Sequence, residues 1–235
     1  ARRFHDVLLK SPSVPVPALF RLAMLEAGSG GFAAADRLLA VAGKRQAGDP
    51  QILVNHAQVR LAMDDPEAAW TLLGRLPARV RASPAVARLI GDVALSADRV
   101  EDAVEAYRPL VAGHGTGDPA VLANLGTALR RLGRFEEAAD CLGRAVAQGA
   151  GREAVIGLAG LNGQLDQHEQ AVELLATHLA RRPDDPALLR QLAATQRAAG
   201  DGAAARLAVC RAIVAAPGDG AALALAAELA ENAAD

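Results

Sequence analysis

Large flat side chains are scarce in this 235-residue chain, with four phenylalanines, one tyrosine and one tryptophan making up 3% of it. Half of the residues are nonetheless hydrophobic, and alanine alone supplies nearly a quarter. The apolar mass is therefore small and aliphatic, suited to thin, closely spaced layers rather than one thick core. β-Branched residues other than valine are sparse, while Ala, Leu, Arg and Glu dominate, a balance that favours helix throughout. Charge of one sign is lacking too. The formal net charge is −2, which denies the chain the basic footprint of a nucleic-acid binder. No apolar run approaches the ~18 residues of a membrane span. The two cysteines, Cys141 and Cys210, form no CxxC pair and cannot build a disulfide framework. Their pairless state points to a reducing compartment, so a cytoplasmic location is expected. No secretory signal precedes the first patterned helix. The chain begins at Ala1 rather than methionine, which leaves room for a targeting segment upstream.

The ingredients of catalysis are also missing. The five histidines do not cluster, and no cysteine has a histidine at metal-ligand spacing. His56 and His178 fall at positions expected to be packed or hydrogen-bonded, whereas His5, His114 and His168 fall on surface or turn positions. The acidic pairs Glu136-Glu137 and Asp184-Asp185 stand where helices begin or turns close, suiting helix N-termini. The run GSGG at 28–31 lacks a preceding strand and a Gly-Lys-Ser/Thr ending, so it is no phosphate loop. Cys141 and Cys210 are expected to be buried small hydrophobes, and Trp70 to pack between neighbouring repeats. The expectation is a non-catalytic chain with no metal and no cofactor.

What the chain does have is a period. Ala35, Ala69, Ala103, Ala138, Ala171 and Ala205 recur at steps of 34, 34, 35, 33 and 34. Twelve residues before each lies another small residue: Ala23, Ala57, Gly91, Gly126, Ala159 and Ala193. Four residues after each alanine comes a larger side chain: Leu39, Leu73, Tyr107, Leu142, Leu175 and Val209. Two columns that stay small through six repeats are hard to obtain from composition alone. Prolines 50, 84, 119 and 186 each follow Asp or Ser, the pattern of an N-cap and first helical residue. Mid-unit connections such as Gly133-Arg134 and Gly200-Asp201 allow a left-handed exit from one helix into the next.

Each unit thus reads as a hairpin of two helices, A and B. Leu122, Leu125 and Leu129 make one apolar face of a helix A, and Ala138, Leu142 and Ala145 one face of a helix B. The small residues Gly126 and Ala138 let the two backbones come close, and a bulky residue at either would overpack the pair. In order and spacing, Leu122, Leu125-Gly126, Leu129, Ala138, Leu142 and Ala145 resemble the tetratricopeptide repeat (TPR), here of a bacterial-type, alanine-rich kind. Pro183 and Pro217 match its closing proline, while Ala150 and the shortage of aromatics depart from it. The resemblance covers nearly the whole chain. It implies an all-α, right-handed solenoid, read as one domain over 1–235. Full repeats are placed at 16–49, 50–83, 84–118, 119–151, 152–185 and 186–219. A helix B alone precedes them at 1–15, with Phe4, Val7 and Pro12 in its columns, and a helix A alone follows at 220–235. The half-repeats create the expectation that the native protein continues upstream.

The resemblance further implies that A helices line a concave groove that receives a ligand. The positions so implicated are Asn55, Gln58, Arg88, Asp92, Asn124, Thr127, Arg130, Arg131, Arg190, Gln191 and Arg197. Leu89 and Gly157, at such positions, break the row of Asn55, Asn124 and Gln191. The arginines make the expected groove locally basic, opposed only by Asp92 and Glu153. It would suit an acidic or extended peptide, with asparagine and glutamine bonding the peptide backbone. The leading expectation is a scaffold that binds a protein or peptide along this groove. Two other readings stand beside it: a substrate-recruiting arm of a larger glycosyltransferase, sulfotransferase or 2-oxoglutarate oxygenase, and a solenoid that self-associates through its terminal half-repeats.

Overall fold

The computed structural model describes residues 14–112 and 117–231. The half-repeat expected at 1–15, with Phe4, Val7, Pro12 and His5, falls almost wholly outside them, and His114 lies outside them too. The described residues form fourteen α-helices and no strand. The fold is an all-α helical-repeat solenoid, and its residues group into two compact units, Ala1–Gly113 and His114–Asp235.

The first unit pairs α1 (Val16–Gly28) with α2 (Phe32–Arg45), and α3 (Pro50–Ala62) with α4 (Pro66–Gly74). A short α5 (Ala78–Arg81) precedes α6 (Pro84–Ser96), which packs on α7 (Val100–Tyr107), and a 3-10 turn, Arg108–Leu110, follows. The second unit pairs α8 (Pro119–Arg131) with α9 (Phe135–Ala147), α10 (Arg152–Gln164) with α11 (His168–Leu179), and α12 (Pro186–Ala198) with α13 (Gly202–Ala215). Its last helix is α14 (Gly220–Glu231). Within this unit the first helices of successive pairs lie side by side: α8 on α10, α10 on α12, and α12 on α14.

The periodic columns form the core. All six marker alanines are fully buried, and so are the alanines among the six small residues that precede them. The larger column is equally dry, from Tyr107 at 0% to Leu73 at 2% exposure. Small faces small across each helix pair, and the larger residue fills the layer to the next. A chain poor in aromatics can therefore bury its apolar residues in successive clusters of small and aliphatic side chains.

One backbone device makes every hairpin. The residue five before each marker alanine has positive φ: Gly30, Asp64, Asp98, Gly133, Asp166 and Gly200, between 57° and 83°. The next N–H reaches back to a carbonyl five residues earlier at 2.8–3.0 Å in all six turns, as from Arg134 to Leu129. This bond satisfies an orphan carbonyl at the end of the A helix and reverses the chain. Aspartate serves in three of the six turns because its short polar side chain tolerates the left-handed region.

Aspartate caps six of the helix starts, whereas Ser83, at the head of α6, makes no side-chain cap bond. Asp49, Asp118, Asp185 and Asp219 accept N–H bonds at the heads of α3, α8, α12 and α14. Asp65 and Asp201 do the same for α4 and α13. Each cap contributes roughly 1 kcal/mol.

The first two pairs are also tied by charge. Asp36 on α2 accepts from Arg60 at 2.5 and 3.0 Å and lies 2.8 Å from Nε2 of His56, both on α3. Arg60 reaches on to Asp65 at 3.0 Å. His56 is thus buried and hydrogen-bonded, as its position suggested. His178 is only half-buried, and its neighbour Leu179 enters the core instead. Cys141 is buried, but Cys210 is exposed. The buried face of α13 runs through Ala205, Ala208, Val209 and Ala212. Cys210 stands one residue past Val209, about 100° round the helix from it. Trp70 is partly buried against a cluster that includes Val86, Leu89 and Ile90 of the following helix A, so it packs between pairs.

Candidate functional site

The implicated side chains come from α3 and α6 in the first unit and from α8 and α12 in the second. Each helix buries its leucine or alanine face, and the turn and cap chemistry above fixes its rotation.

In the first unit, Asn55 is half-buried and its Nδ2 donates to Gln51 O at 2.8 Å, while Gln58 is exposed. On α6, Arg88 is exposed and stands 3.9 Å from Asp92 one turn on. Asp92 also accepts the hydroxyl proton of Tyr107 at 2.5 Å. That short charge-assisted bond gives the carboxylate a structural task and fixes the ring under α6. Leu89 is 8% exposed and joins the core, so this helix presents less polar surface than the expected row of positions required.

In the second unit, α8 carries Asn124, Thr127 and Arg130 half-buried and Arg131 exposed. Thr127 Oγ1 donates to Ala123 O at 2.9 Å, which leaves its lone pairs outward. The Nε of Arg130 is buried and has no hydrogen-bond partner among the described residues. The neighbouring α10 presents glycine at 157, 160 and 163. At Gly160 the nearest side-chain neighbour of an added Cβ would be Gln191 Nε2, at 3.7 Å. Thus α8, α10 and α12 lie side by side, and Gln191 of α12 reaches toward Gly160 of α10.

Two of the expected basic residues are already engaged. Arg190 Nη1 donates to Asp219 Oδ2 at 2.6 Å, with the carboxylate side chain 17% exposed. Arg197 pairs with Glu228 on α14. The acids that neutralise them lie 29 and 31 residues away in the chain, too far for helical spacing to betray. Glu153, expected to oppose the groove charge, instead bonds Arg152 at 3.1 Å. Arg152 also reaches Asp185 at 3.4 Å. The bonds that Arg152 donates to Glu153 and then to Asp185 raise the guanidinium pKa above its ordinary value. On this face the one buried guanidinium nitrogen without a hydrogen-bond partner among the described residues is Arg130 Nε. Among the described residues no group of three His, Cys, Asp or Glu side chains could hold a metal ion. No described helix is long and apolar enough to cross a membrane.

Repeated two-helix units with small facing columns define a class of helical scaffold built by stacking. A family model for the tetratricopeptide repeat matches residues 41–227, and the chain belongs to that family. Its members are generally non-catalytic, and the chain is a protein-interaction scaffold in that general sense. Solved structures similar to it share the fold. A tetratricopeptide-repeat protein from Parabacteroides merdae superposes with a TM-score of 0.75 at 13% identity, over 91% of this chain and 85% of that one. MamA from Desulfovibrio magneticus gives a TM-score of 0.65 at 18% identity, over 72% and 97%. YrrB, described as having an unusual peptide-binding site, gives 0.62 at 17% identity, over 79% and 95%. No curated protein matches the sequence.

Proposed function

We propose that the strip formed by α8, α10 and α12 binds an extended peptide segment of a partner protein, with a carboxylate of that segment on Arg130 and Arg131. The observation that carries this reading is the buried Nε of Arg130, without a hydrogen-bond partner among the described residues, on the helix next to one that carries Gly157, Gly160 and Gly163. A buried donor without a partner costs about 1–3 kcal/mol, and a ligand carboxylate or carbonyl removes that cost. Asn124, the lone pairs of Thr127 and Gln191 flank the track and bond the peptide backbone. Arg190 and Arg197 border it but are held by Asp219 and Glu228. Asn55, Gln58, Arg88 and Asp92 make a separate polar face in the first unit. It is less basic, because Asp92 stands beside Arg88. The site implies neither metal nor cofactor, and the reading places the protein in the cytoplasm as an adaptor for acidic partner segments.

Isothermal titration with a panel of unstructured peptides, acidic, neutral and basic at equal length, tests this. Acidic peptides should bind wild type, and Arg130→Glu/Arg131→Glu should weaken them at least tenfold while circular dichroism stays unchanged. Equal affinities for wild type and the double variant would sink the proposal.

A further inference from the structure

The first unit departs from the two-helix pattern in one region. Helix α4 stops at Gly74, and the chain inserts α5 between Pro77 and Pro84. Helix α7 gives way after Tyr107 to the 3-10 turn that contains Pro109. Proline cannot donate the N–H that would continue the α-helix, so the turn tightens there. Between these irregular segments lies a cleft of about 370 Å³. Its lining comes from α4, α5, α6, α7 and the 3-10 turn and includes neither Asn55 nor Gln58.

Trp70, Ile90 and Leu110 give the cleft an apolar lining, while Arg81, Asp102 and Glu105 bring charge to it. Asp102 and Glu105 stand one turn apart on α7, and neither has an ion-pair partner among the described residues. The nearby Arg99 is committed elsewhere: it stacks on Trp70 at 5.1 Å and bonds Glu67 at 3.0 Å. Arg81, exposed on α5, pairs with neither acid. A concave apolar floor of this size beside two unpaired carboxylates, which outnumber Arg81 as the one cation among the described lining residues, is the form of a recognition pocket. Its charge selects a cationic occupant.

We propose that this cleft docks a partner segment that inserts one large apolar side chain against Trp70 and Ile90 and lays a lysine or arginine, one helical turn away, on Asp102 and Glu105. Its charge preference is opposite to that of the α8 strip, and it stands independently of that site.

Trp70 is the sole tryptophan of the chain, so its emission reports occupancy directly. The test titrates the full chain with three capped twelve-residue helical peptides that lack tryptophan. Each carries one phenylalanine, flanked four residues away on both sides by lysine, glutamine or glutamate. The lysine peptide should shift Trp70 emission saturably, at least threefold more tightly than the glutamine peptide and at least tenfold more tightly than the glutamate one. Asp102→Asn/Glu105→Gln should abolish that ranking with helicity intact, and Arg130→Glu/Arg131→Glu should leave it untouched. The proposal is overturned by no saturable shift up to millimolar peptide, by equal affinities for the three, or by a ranking that survives in the Asp102/Glu105 variant. An emission shift that tracks protein concentration without peptide would assign the cleft to a second copy of the chain and likewise overturn it.

Discussion

Gly91 lies directly under the ring of Tyr107: a Cβ built on the glycine would fall 2.4 Å from Cε1 and 2.5 Å from Cζ. The ring cannot swing away, because its hydroxyl is bonded to Asp92 and its side chain is fully buried. Gly91→Ala should therefore destabilise the protein by about 1–3 kcal/mol, read as a lower urea midpoint. Gly126 is the instructive contrast. A Cβ there would meet Leu142 Cγ at 2.7 Å, but four other units already pair alanine with leucine or valine at these two columns. Gly126→Ala should cost less than Gly91→Ala, and Tyr107→Leu should rescue much of the Gly91→Ala loss. Equal costs, or no rescue, would show that the glycines are not set by the size of the residue they face.

The hairpin turns offer a second test. Gly133 has φ of 73°, with nothing within 4 Å of where its Cβ would be. Space is not limiting there, so only backbone strain penalises a side chain. Gly133→Ala should cost about 1 kcal/mol. Gly133→Asp should cost less, because Asp64, Asp98 and Asp166 occupy the same place in three other turns. If aspartate were as costly as alanine, side-chain bonding to the local backbone would not explain its use.

This turn column shows what was legible in the sequence. A left-handed exit was readable at Gly133-Arg134 and Gly200-Asp201, and the small columns led directly to the buried core. These features repeat, so each instance supports the others. The break of α4 and the 3-10 ending of α7 are local exceptions made by Pro77, Pro84 and Pro109, and averaging over repeats hides them. The charge of the candidate face was harder still. Helical position shows that Arg190 and Arg197 lie toward that face. It cannot show that Asp219 and Glu228, from the next helix A, meet them there. Gln58 needed no such information: its exposure follows from its place on the helix opposite the buried face.

The charged tie between the first two helix pairs should be worth more than a surface pair. Asp36 is 14% exposed and satisfies both Arg60 and His56. Asp36→Ala leaves His56 without its partner and Arg60 with Asp65 alone, and should cost roughly 2–3 kcal/mol. Hydrogen exchange should then show faster opening of α1 and α2 with the second unit unchanged, because repeat proteins lose stability locally. Uniform acceleration across the chain would mean that the tie stabilises the whole array rather than one junction.

Asp219 links stability to the proposed peptide site. Its Oδ1 caps α14 by accepting from Ala221 and Ala222 at 3.0 and 3.2 Å, while its Oδ2 holds Arg190. Asparagine keeps the capping oxygen and removes the charge, so Asp219→Asn should leave the helical content of the chain intact. It should also release Arg190 toward the strip of α8, α10 and α12. An acidic peptide should then bind up to about fivefold more tightly, the range of a partly exposed ion pair, and the gain should shrink as salt rises. Asp219→Ala serves as the control: it frees the same arginine but loses the cap, at about 1 kcal/mol. Tighter binding in both variants with stability lost only in the second would place Arg190 within reach of the ligand. Unchanged affinity in both would confine the site to Arg130, Arg131 and their neighbours on α8.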